Sequence, residues 1–186
     1  ISTASVSWPV SVNAPLDTLI PVYWRGDEPS VEPESANPQD IELLAAISRP
    51  DGLLFDMQKR LGPYMMGNDT SIEGDRIRTR YSIDIIERRR PGFMTIHLSS
   101  LDETEHMTGP FSPKSNSNLE AIDGMVGQLI DAANHAYYVL DHPTVADAFY
   151  AAWLRKMEAL ESADPSLRTP DSPTQRVGAP PSTRFA

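Results

Sequence analysis

Asp102 and His106 stand four residues apart and are the candidates for metal chemistry in this sequence. They come after a short apolar, β-prone run, residues 93–98, and before the turn Gly109-Pro110. A carboxylate and an imidazole are ligand types that a zinc-class ion takes. Because a structural zinc site takes four ligands, the pair predicts a zinc site that is incomplete by itself. The alternative interpretation is a loop carboxylate beside an exposed imidazole, with no ion.

Several other polar side chains have both a functional and a structural interpretation. His97 is interpreted as a sheet-face or core histidine rather than as a residue behind a metal ligand. Thr70 is interpreted as a helix cap and not as a nucleophile, because no base is placed near it. A group of arginines could hold a phosphate, but acidic residues lie among them, so a solvated helix face is favoured. These arginines are Arg76, Arg78, Arg80, Arg88, Arg89 and Arg90.

Composition limits the classes of partner. The 186 residues carry a net charge of −10, which opposes a duplex nucleic-acid partner because phosphate binding requires a basic face. No run of 18 apolar residues occurs, so no membrane span is expected. The absence of cysteine excludes disulfides and thiolate metal sites. The chain begins at Ile1 without a signal-peptide pattern, and we expect a soluble fragment or processed product of unknown localisation.

The predicted helices and strands alternate in the manner of an α/β protein. Residues 1–14 and 16–24 are β-prone, and each is interpreted as a short edge strand or a pocket wall. Residues 93–98 are predicted to be a third strand, followed by a loop at 102–110. Capping residues and apolar stripes predict five helices, over residues 38–48, 51–61, 70–89, 116–140 and 147–161. From Asp164 onward the chain has five prolines and no periodicity, so it is an ordered arm only where something docks it.

A series of stretches in the first two-thirds of the chain carries a family resemblance. They are Trp8-Pro-Val10, Leu19-Ile-Pro-Val-Tyr-Trp24, Gly67-Asn-Asp-Thr-Ser-Ile-Glu-Gly-Asp75, Phe93-Met-Thr-Ile-His-Leu98, Leu101-Asp-Glu-Thr-Glu-His106 with Gly109-Pro110, and Ile122-Asp-Gly-Met-Val-Gly127. Together they resemble the later part of type I phosphodiesterases of the alkaline-phosphatase superfamily, the nucleotide pyrophosphatase group. The resemblance implies two zinc-class ions and a Thr or Ser nucleophile, with Asp102 and His106 as two ligands of one ion.

The same resemblance implies parts that this sequence lacks. The family has an early Asp beside the nucleophile, a later Asp-His pair and a further C-terminal His, and none of them is found here. The nucleophile segment is expected upstream of Ile1. Because two-metal catalysis needs both ions to stabilise the attacking and leaving oxygens, we expect little or no turnover by the chain alone.

A second set of stretches begins at about residue 134. They are His135-Ala-Tyr-Tyr-Val-Leu-Asp141, Asp147-Ala-Phe-Tyr150, Met157-Glu-Ala-Leu160 and Thr169-Pro-Asp-Ser-Pro-Thr-Gln-Arg-Val-Gly178. They resemble the N-terminal segment of NAD-dependent DNA ligases. By similarity, Tyr137, Tyr138, Asp147 and Tyr150 bind the nicotinamide mononucleotide half of NAD, although the family's Asp after the second Tyr is Ala151 here. Helix-on-helix packing explains the aromatic residues equally well.

These observations predict an α/β fold in two parts. Residues 1–131 would be a partial alkaline-phosphatase-like sheet-and-helix domain, and residues 132–186 a ligase-like helical appendage with a Pro-rich tail. The two parts meet inside one predicted helix, whose apolar stripe continues from Leu129 to Tyr137. A natural fusion, an assembly error and an engineered chimera all remain open.

Three functions follow as hypotheses. The first is a truncated metal-dependent phosphodiesterase homologue with a remnant zinc site. The second is a module that binds NAD or nicotinamide mononucleotide, without ligation because the adenylation lysine is absent. The third is a non-catalytic fusion or structural fragment. The expected partner is a phosphate-ester or dinucleotide small molecule, without direct nucleic-acid or membrane binding, and open sheet edges predict self-association.

Overall fold

A computed structural model describes residues 1–22, 38–64, 69–138, 147–170 and 172–175 of the chain. These residues form a mixed α/β structure that is mostly helical, with one small parallel sheet. In chain order the elements are β1 (Thr3–Val6), β2 (Thr18–Ile20), α1 (Pro38–Ile47), α2 (Leu53–Leu61), α3 (Ile72–Arg89), β3 (Phe93–Ile96), α4 (Ser100–Thr108), α5 (Pro113–Tyr138) and α6 (Asp147–Ala163). The α/β prediction is therefore confirmed.

The sheet has three strands in the order β2-β1-β3, and β1 pairs in parallel with both neighbours. Ser5 in β1 lies opposite Leu19 on one side and Thr95 on the other. The prediction of an edge strand is correct for β2 and wrong for the first segment, because β1 is the central strand. Val6 on the central strand is completely buried. A strand with neighbours on both sides is expected to carry such apolar residues.

The main core lies between the sheet and the first three helices. Its members are apolar side chains that α/β packing removes from water: Ala4, Val6, Ile20, Leu44, Ala45, Leu53, Leu54, Met57, Tyr64, Tyr81 and Ile85. The Tyr81 hydroxyl donates a hydrogen bond to the Gly62 carbonyl, 2.7 Å away, which satisfies a polar group beside this core. α2 and α3 are thereby joined at the end of α2.

α3 is an 18-residue helix that contacts α2, α4 and α5. Its first turn is capped by Ser71, whose hydroxyl accepts a hydrogen bond from the Gly74 amide, 3.1 Å away. The prediction that Thr70 caps this helix is wrong by one residue, while the predicted end at Arg89 is correct. Arg90 then adopts the left-handed conformation, with φ 51°, which turns the chain toward β3.

The first two helices after β3 are α4 and α5, and the sequence does not predict α4. The sequence predicts a loop over residues 102–110, but α4 occupies most of that range and is followed by Gly109, where φ is 81°. α5 begins at Pro113, earlier than predicted, and continues without interruption through residue 131. Near its end, Ala132 and Ala136 pack on Ile86 of α3. The C-terminal part of α5 therefore shares a core with α3.

The last elements are α6 and two short 3-10 turns, Pro165–Leu167 and Pro173–Gln175. The predicted helix from Asp147 is confirmed in α6, which extends two residues beyond the expected end. None of the helices in the described ranges is long and apolar enough to cross a membrane.

Candidate metal site and the helix that carries it

Asp102 and His106 lie one turn apart on α4, immediately after the carboxyl end of β3. The Asp102 Oδ1 and His106 Nε2 atoms are 3.6 Å apart. The two side chains are 83% and 74% exposed, respectively, so both project into solvent from the same face of the helix. The carboxyl end of a parallel strand is where α/β proteins place their ligands, and the pair has that location.

The distance between the two atoms fits ligation of one zinc ion. With zinc–ligand bonds near 2.0–2.2 Å and tetrahedral angles, two donor atoms lie roughly 3.4 Å apart. The donor types fit as well, because zinc accepts imidazole nitrogen and carboxylate oxygen. Within the described ranges, however, no group of three or more His, Cys, Asp or Glu side chains could hold a metal ion. The described residues therefore fit two positions of a zinc shell and not a complete shell.

Asp75 of α3 fixes the start of α4. Its carboxylate is fully buried and accepts hydrogen bonds from the backbone amides of Ser99 and Ser100, at 3.0 and 2.9 Å. These are N–H groups at the beginning of α4 that have no partner within the helix. A carboxylate at this end also interacts favourably with the helix dipole. Asp75 thus caps α4 from a different helix.

Arg78 forms a buried ion pair with Asp75, with 2.7 Å between Nη1 and Oδ1. Its Nη2 donates a second hydrogen bond to the Asp69 carbonyl, 2.6 Å away. The Arg78 side chain is only 3% exposed. The prediction that all the arginines of this stretch lie on a solvated face is therefore wrong for Arg78, because Asp75 compensates its charge inside the protein.

Asn118 of α5 holds the first turn of α4 from the other side. Its side-chain amide donates to the Ser100 carbonyl and to the Thr104 hydroxyl, at 3.2 and 2.8 Å, and its carbonyl accepts from the Ser100 hydroxyl at 2.9 Å. Ser100 is fully buried and Thr104 partly buried. α4 is therefore fastened by polar contacts on its inner face, while Asp102 and His106 occupy its outer face.

His97 and Trp8 lie together at the carboxyl ends of β3 and β1. Their ring centroids are 6.4 Å apart and the rings meet edge to face. The His97 backbone amide donates to the Val6 carbonyl, 3.1 Å away, which extends the strand pairing. This arrangement agrees with the interpretation of His97 as a sheet-edge residue. Among the described residues, His97 does not complete a metal-binding group with Asp102 and His106.

Two other arginines, Arg76 and Arg80, line a surface cavity of about 380 Å³ between α3 and α5. Three carboxylates line it too, those of Glu73, Asp84 and Glu87. The carboxylates outnumber the guanidinium groups, so the cavity does not favour a phosphate. This is consistent with the predicted solvated face.

The predicted nicotinamide-binding residues lie at the end of α5 and the beginning of α6. The backbones of Tyr137 and Tyr138 belong to α5, and those of Asp147 and Tyr150 to α6. Their side chains lie outside the described part of the structure, as do residues 139–146 between the two helices. These four assignments stay predictions.

Glu161 of α6 docks the segment that follows it. Its carboxylate accepts hydrogen bonds from the hydroxyls of Ser172 and Thr174 and from the Gln175 amide. These hydroxyls, Ser172 first, lower the pKa of Glu161 below its ordinary value. The sequence predicts that the tail is ordered only where another part of the protein docks it, and Glu161 docks residues 172–175.

Sequence reasoning missed three residues that determine the position of α4: Asp75, Arg78 and Asn118. One signal was available for the first two. Their i, i+3 spacing places them on the same face of α3 as buried Ser82 and Ile85. An opposite-charge pair on a buried face predicts a compensated ion pair rather than a solvated one.

Comparison with known proteins decides the family. The chain matches the type I phosphodiesterase / nucleotide pyrophosphatase family over residues 4–139, well over half of its length. The chain belongs to this family. The match contains α4 with Asp102 and His106, and the resemblance of residues 8–129 is confirmed.

A second match covers the C-terminal part of this phosphodiesterase-family chain. Residues 118–178 match the family described as DNA ligase-like, N-terminal NAD+-binding domain. The DNA ligase of Roseiflexus sp. (strain RS-1) is 62% identical over 53 residues, which are 28% of this chain and 7% of the ligase. The DNA ligase of Xanthomonas campestris pv. campestris (strain B100) is 56% identical over 59 residues, 32% of this chain and 7% of the ligase. No solved structure matches the chain.

The two family matches overlap, and the chain covers only a small part of the ligases. Residues 118–139 belong to both matches, and nearly all of them lie in α5. Both resemblances are therefore confirmed, and they meet inside one continuous helix as predicted. The matched residues span less than a tenth of the length of these ligases. The activity of a complete ligase is therefore not attributed to this chain.

Proposed function

We propose that residues 1–131 are part of a metal-dependent phosphodiesterase domain of the alkaline-phosphatase-like kind. In this proposal, Asp102 and His106 supply two ligands to one zinc-class ion. The observation that carries the proposal is their geometry: an imidazole and a carboxylate 3.6 Å apart, on a helix that follows the carboxyl end of β3. The family match over residues 4–139 supports it.

In this proposal, Asp75 and Asn118 are positioning residues that act through α4. Asp75 and Asn118 hold the inner face of α4, so the outer face presents both ligands without the freedom of a loop. The ion, when bound, would act as a Lewis acid toward a phosphate ester. The substrate class is a phosphate ester or a dinucleotide.

We expect little or no hydrolysis by the chain alone. Two-metal phosphodiester hydrolysis needs both ions, and the described residues supply ligands for part of one ion's shell. No catalytic step is therefore assigned to Asp102 or His106. Their role here is to bind and orient a metal ion.

Hydrolysis of bis(p-nitrophenyl) phosphate tests this proposal, together with zinc uptake measured by calorimetry. Zinc-loaded chain, metal-stripped chain and an Asp102→Ala variant are compared, with Glu105→Ala as the control on the same helix. We expect zinc uptake that is lost only in Asp102→Ala, and no zinc-dependent turnover. Rapid zinc-dependent turnover would contradict the prediction that the metal site is incomplete. Absence of zinc uptake would contradict the assignment of Asp102 and His106 as zinc ligands.

A second candidate function concerns residues 132–186, which we propose as a segment that binds nicotinamide mononucleotide or NAD. The observation that favours it is 62% identity over 53 residues to a ligase, within a match to a NAD+-binding domain. Tyr137, Tyr138 and Tyr150 would stack on the nicotinamide ring, and Asp147 would contact the ribose or the cationic ring.

Thermal unfolding distinguishes this second function from a non-catalytic fusion. A ligand that binds only the native state raises the apparent stability, by about 2.7 kcal/mol at 100 times its dissociation constant. We expect NAD to raise the melting temperature of the chain and Asp147→Ala to abolish the increase. If neither NAD nor zinc moves the melting temperature, the chain is better described as a non-catalytic fragment.

A further inference from the structure

We propose that the cavity between α3 and α5 binds a short peptide with free ends, about three residues long. Glu87 would hold the ammonium group of this peptide, and Arg80 would hold its carboxylate group. The inference goes beyond the proposed function, because the cavity is separate from the outer face of α4 and uses neither Asp102 nor His106.

The cavity has the size of a small-molecule site. Its volume is about 380 Å³, within the roughly 300–1,000 Å³ of typical ligand pockets. One wall is a stripe along α3 that contains Arg80, Ile83 and Glu87, and the other wall is formed by Met125 and Gln128 of α5. Met125 is only 2% exposed, so this wall reaches into the protein interior. A ligand would therefore meet apolar surface between charged side chains.

Three of the five charged side chains that line the cavity already have partners of opposite charge. Glu73 and Arg76 pair with each other, with 3.6 Å between Oε2 and Nε. The Asp84 carboxylate accepts hydrogen bonds from the guanidinium groups of Arg60 and Arg88, each at 2.8 Å. The protein itself thus compensates these charges.

Arg80 and Glu87 are the other two charged side chains of the cavity. Both are exposed, and neither forms an ion pair within the described ranges. They lie two turns apart on one side of α3, about 10 Å along the helix axis, with Ile83 between them. An extended chain of three residues spans the same distance, at about 3.3–3.6 Å for each residue. The positive and negative ends of a tripeptide can therefore pair with both side chains at once.

A buried hydroxyl favours a ligand that also carries amide groups. Thr79 lines the cavity and is 2% exposed, and its hydroxyl has no hydrogen-bond partner among the described residues. Since buried polar side chains are nearly always paired, this hydroxyl is a position where a bound molecule can supply the partner. The N–H and C=O groups of a peptide lie between its charged ends and provide such a partner. An amine or an inorganic anion would pair with one end of the cavity only.

Isothermal titration calorimetry of the purified full chain with the tripeptide alanyl-leucyl-alanine tests the inference. The N-acetylated and the C-amidated forms of this peptide each lack one terminal charge. We expect the free peptide to bind, and each blocked form to bind about tenfold more weakly because it loses a charge-assisted contact. Equal binding of the free and N-acetylated peptides would overturn the role of Glu87. Equal binding of the free and amidated peptides would overturn the role of Arg80 and indicate a site for organic cations.

Substitutions in α3 locate the peptide. Arg80→Gln and Glu87→Gln should each weaken binding of the free peptide about tenfold. Arg89→Gln on α3 and Glu120→Gln on α5, both at exposed positions outside the cavity, are the matched controls. Thr79→Val should weaken binding about threefold without lowering the melting temperature, because the hydroxyl has no partner to lose in the free protein.

A combination of the two sets of measurements gives the sharpest result. In Glu87→Gln, acetylation of the peptide should cause no further loss of affinity, because the ammonium group has already lost its partner. A further tenfold loss would place the ammonium group elsewhere.

The remaining outcomes separate this inference from the proposed function. Absence of peptide binding by the unmodified chain, or binding that persists in both Arg80→Gln and Glu87→Gln, would overturn the peptide site. Neither result would bear on zinc uptake, which depends on Asp102 and His106 in the proposed function. Zinc uptake should be the same in the presence and absence of the peptide.

Discussion

Two buried carboxylates, Asp75 and Glu161, each fasten a neighbouring segment, but they do so with different partners. Asp75 lies in the phosphodiesterase-like part and accepts hydrogen bonds from a guanidinium group and two backbone amides. Glu161 lies in the ligase-like part and accepts from two hydroxyls and a side-chain amide. Asp75 holds the start of α4, and Glu161 holds the short segment of residues 172–175.

The two carboxylates differ in the partner that each would leave behind if it were removed by substitution. Without Asp75, the Arg78 guanidinium stays buried with its charge uncompensated. Without Glu161, the hydroxyls of Ser172 and Thr174 lose their acceptor. Undocking of residues 172–175 from α6 would expose these hydroxyls to water. An uncompensated buried charge costs far more than an exposed neutral group. The two regions should therefore respond very differently to equivalent substitutions.

The largest effect is expected for Asp75→Ala. Breaking a buried ion pair from one side destabilises proteins by about 3–5 kcal/mol, and two amides at the start of α4 would also lose their acceptor. Urea unfolding followed by circular dichroism measures the change. The control is Glu73→Ala in the same turn of α3, whose exposed pair with Arg76 should contribute less than about 1 kcal/mol.

The double variant Asp75→Leu/Arg78→Met sharpens this prediction. Removing both charges should restore part of the stability, because no buried ion is left without a partner. Recovery should be incomplete, since the amides of Ser99 and Ser100 still lack an acceptor, at about 1–3 kcal/mol for each buried unsatisfied group. Complete recovery would show that the capping of α4 contributes nothing.

A smaller effect is expected for Asn118→Ala. This substitution removes three hydrogen bonds to Ser100 and Thr104, and neutral bonds contribute about 0.5–1.5 kcal/mol each. Hydrogen exchange followed by mass spectrometry should show faster exchange in α4 than in α1 or α2. Asn116→Ala, on an exposed position of α5, serves as the control. Equal acceleration throughout the chain would mean that Asn118 stabilises the whole fold and does not act on α4.

These contacts explain which elements could be predicted from the sequence. α3 and β3 carry a clear local pattern, with a cap, an apolar stripe and Pro91-Gly92 between them, and both were predicted. α4 has almost no apolar stripe, so the sequence predicts a loop over residues 102–110. It is helical because α3 supplies a cap and α5 supplies Asn118, and both partners are distant in the sequence. Tertiary contacts override local propensity at such a segment.

The candidate site shows the same limit. The ligand types and the four-residue spacing of Asp102 and His106 could be read directly, as could the family resemblance. The sequence predicts a solvated face for Arg78 because acidic residues occur all around α3. It does not show which of these carboxylates turns inward. Only the packing of α3 against the start of α4 identifies Asp75 as that carboxylate.

A local, pH-dependent effect is expected at Glu161. Hydrogen bonds from Ser172 and then Thr174 hold the pKa of Glu161 below its ordinary value in the docked state. A lowered folded-state pKa means that docking is complete above the ordinary glutamate range and is lost as the pH falls through the lowered value. NMR signals of residues 172–175 should shift over that acidic range.

Two glutamine variants sharpen the Glu161 result. Glu161→Gln should remove the acid-induced shift and make Arg168 more susceptible to trypsin at neutral pH. Glu158→Gln is the control, because the backbone carbonyl of Glu158, and not its side chain, accepts the hydrogen bond from Ser162. An unchanged pH response in Glu161→Gln would mean that another group controls the docking.

The smallest effect on stability is expected for Asp102→Ala in the absence of metal. Asp102 lies in the first turn of α4 and is 83% exposed, so it contributes at most about 1 kcal/mol through the helix dipole and its pair with His106. Urea unfolding of metal-stripped protein measures this change beside that of Asp75→Ala. A small value would establish that the inner face of α4 determines its position. Loss of zinc binding in Asp102→Ala would then report the missing ligand, because the helix that carries His106 would still be in place.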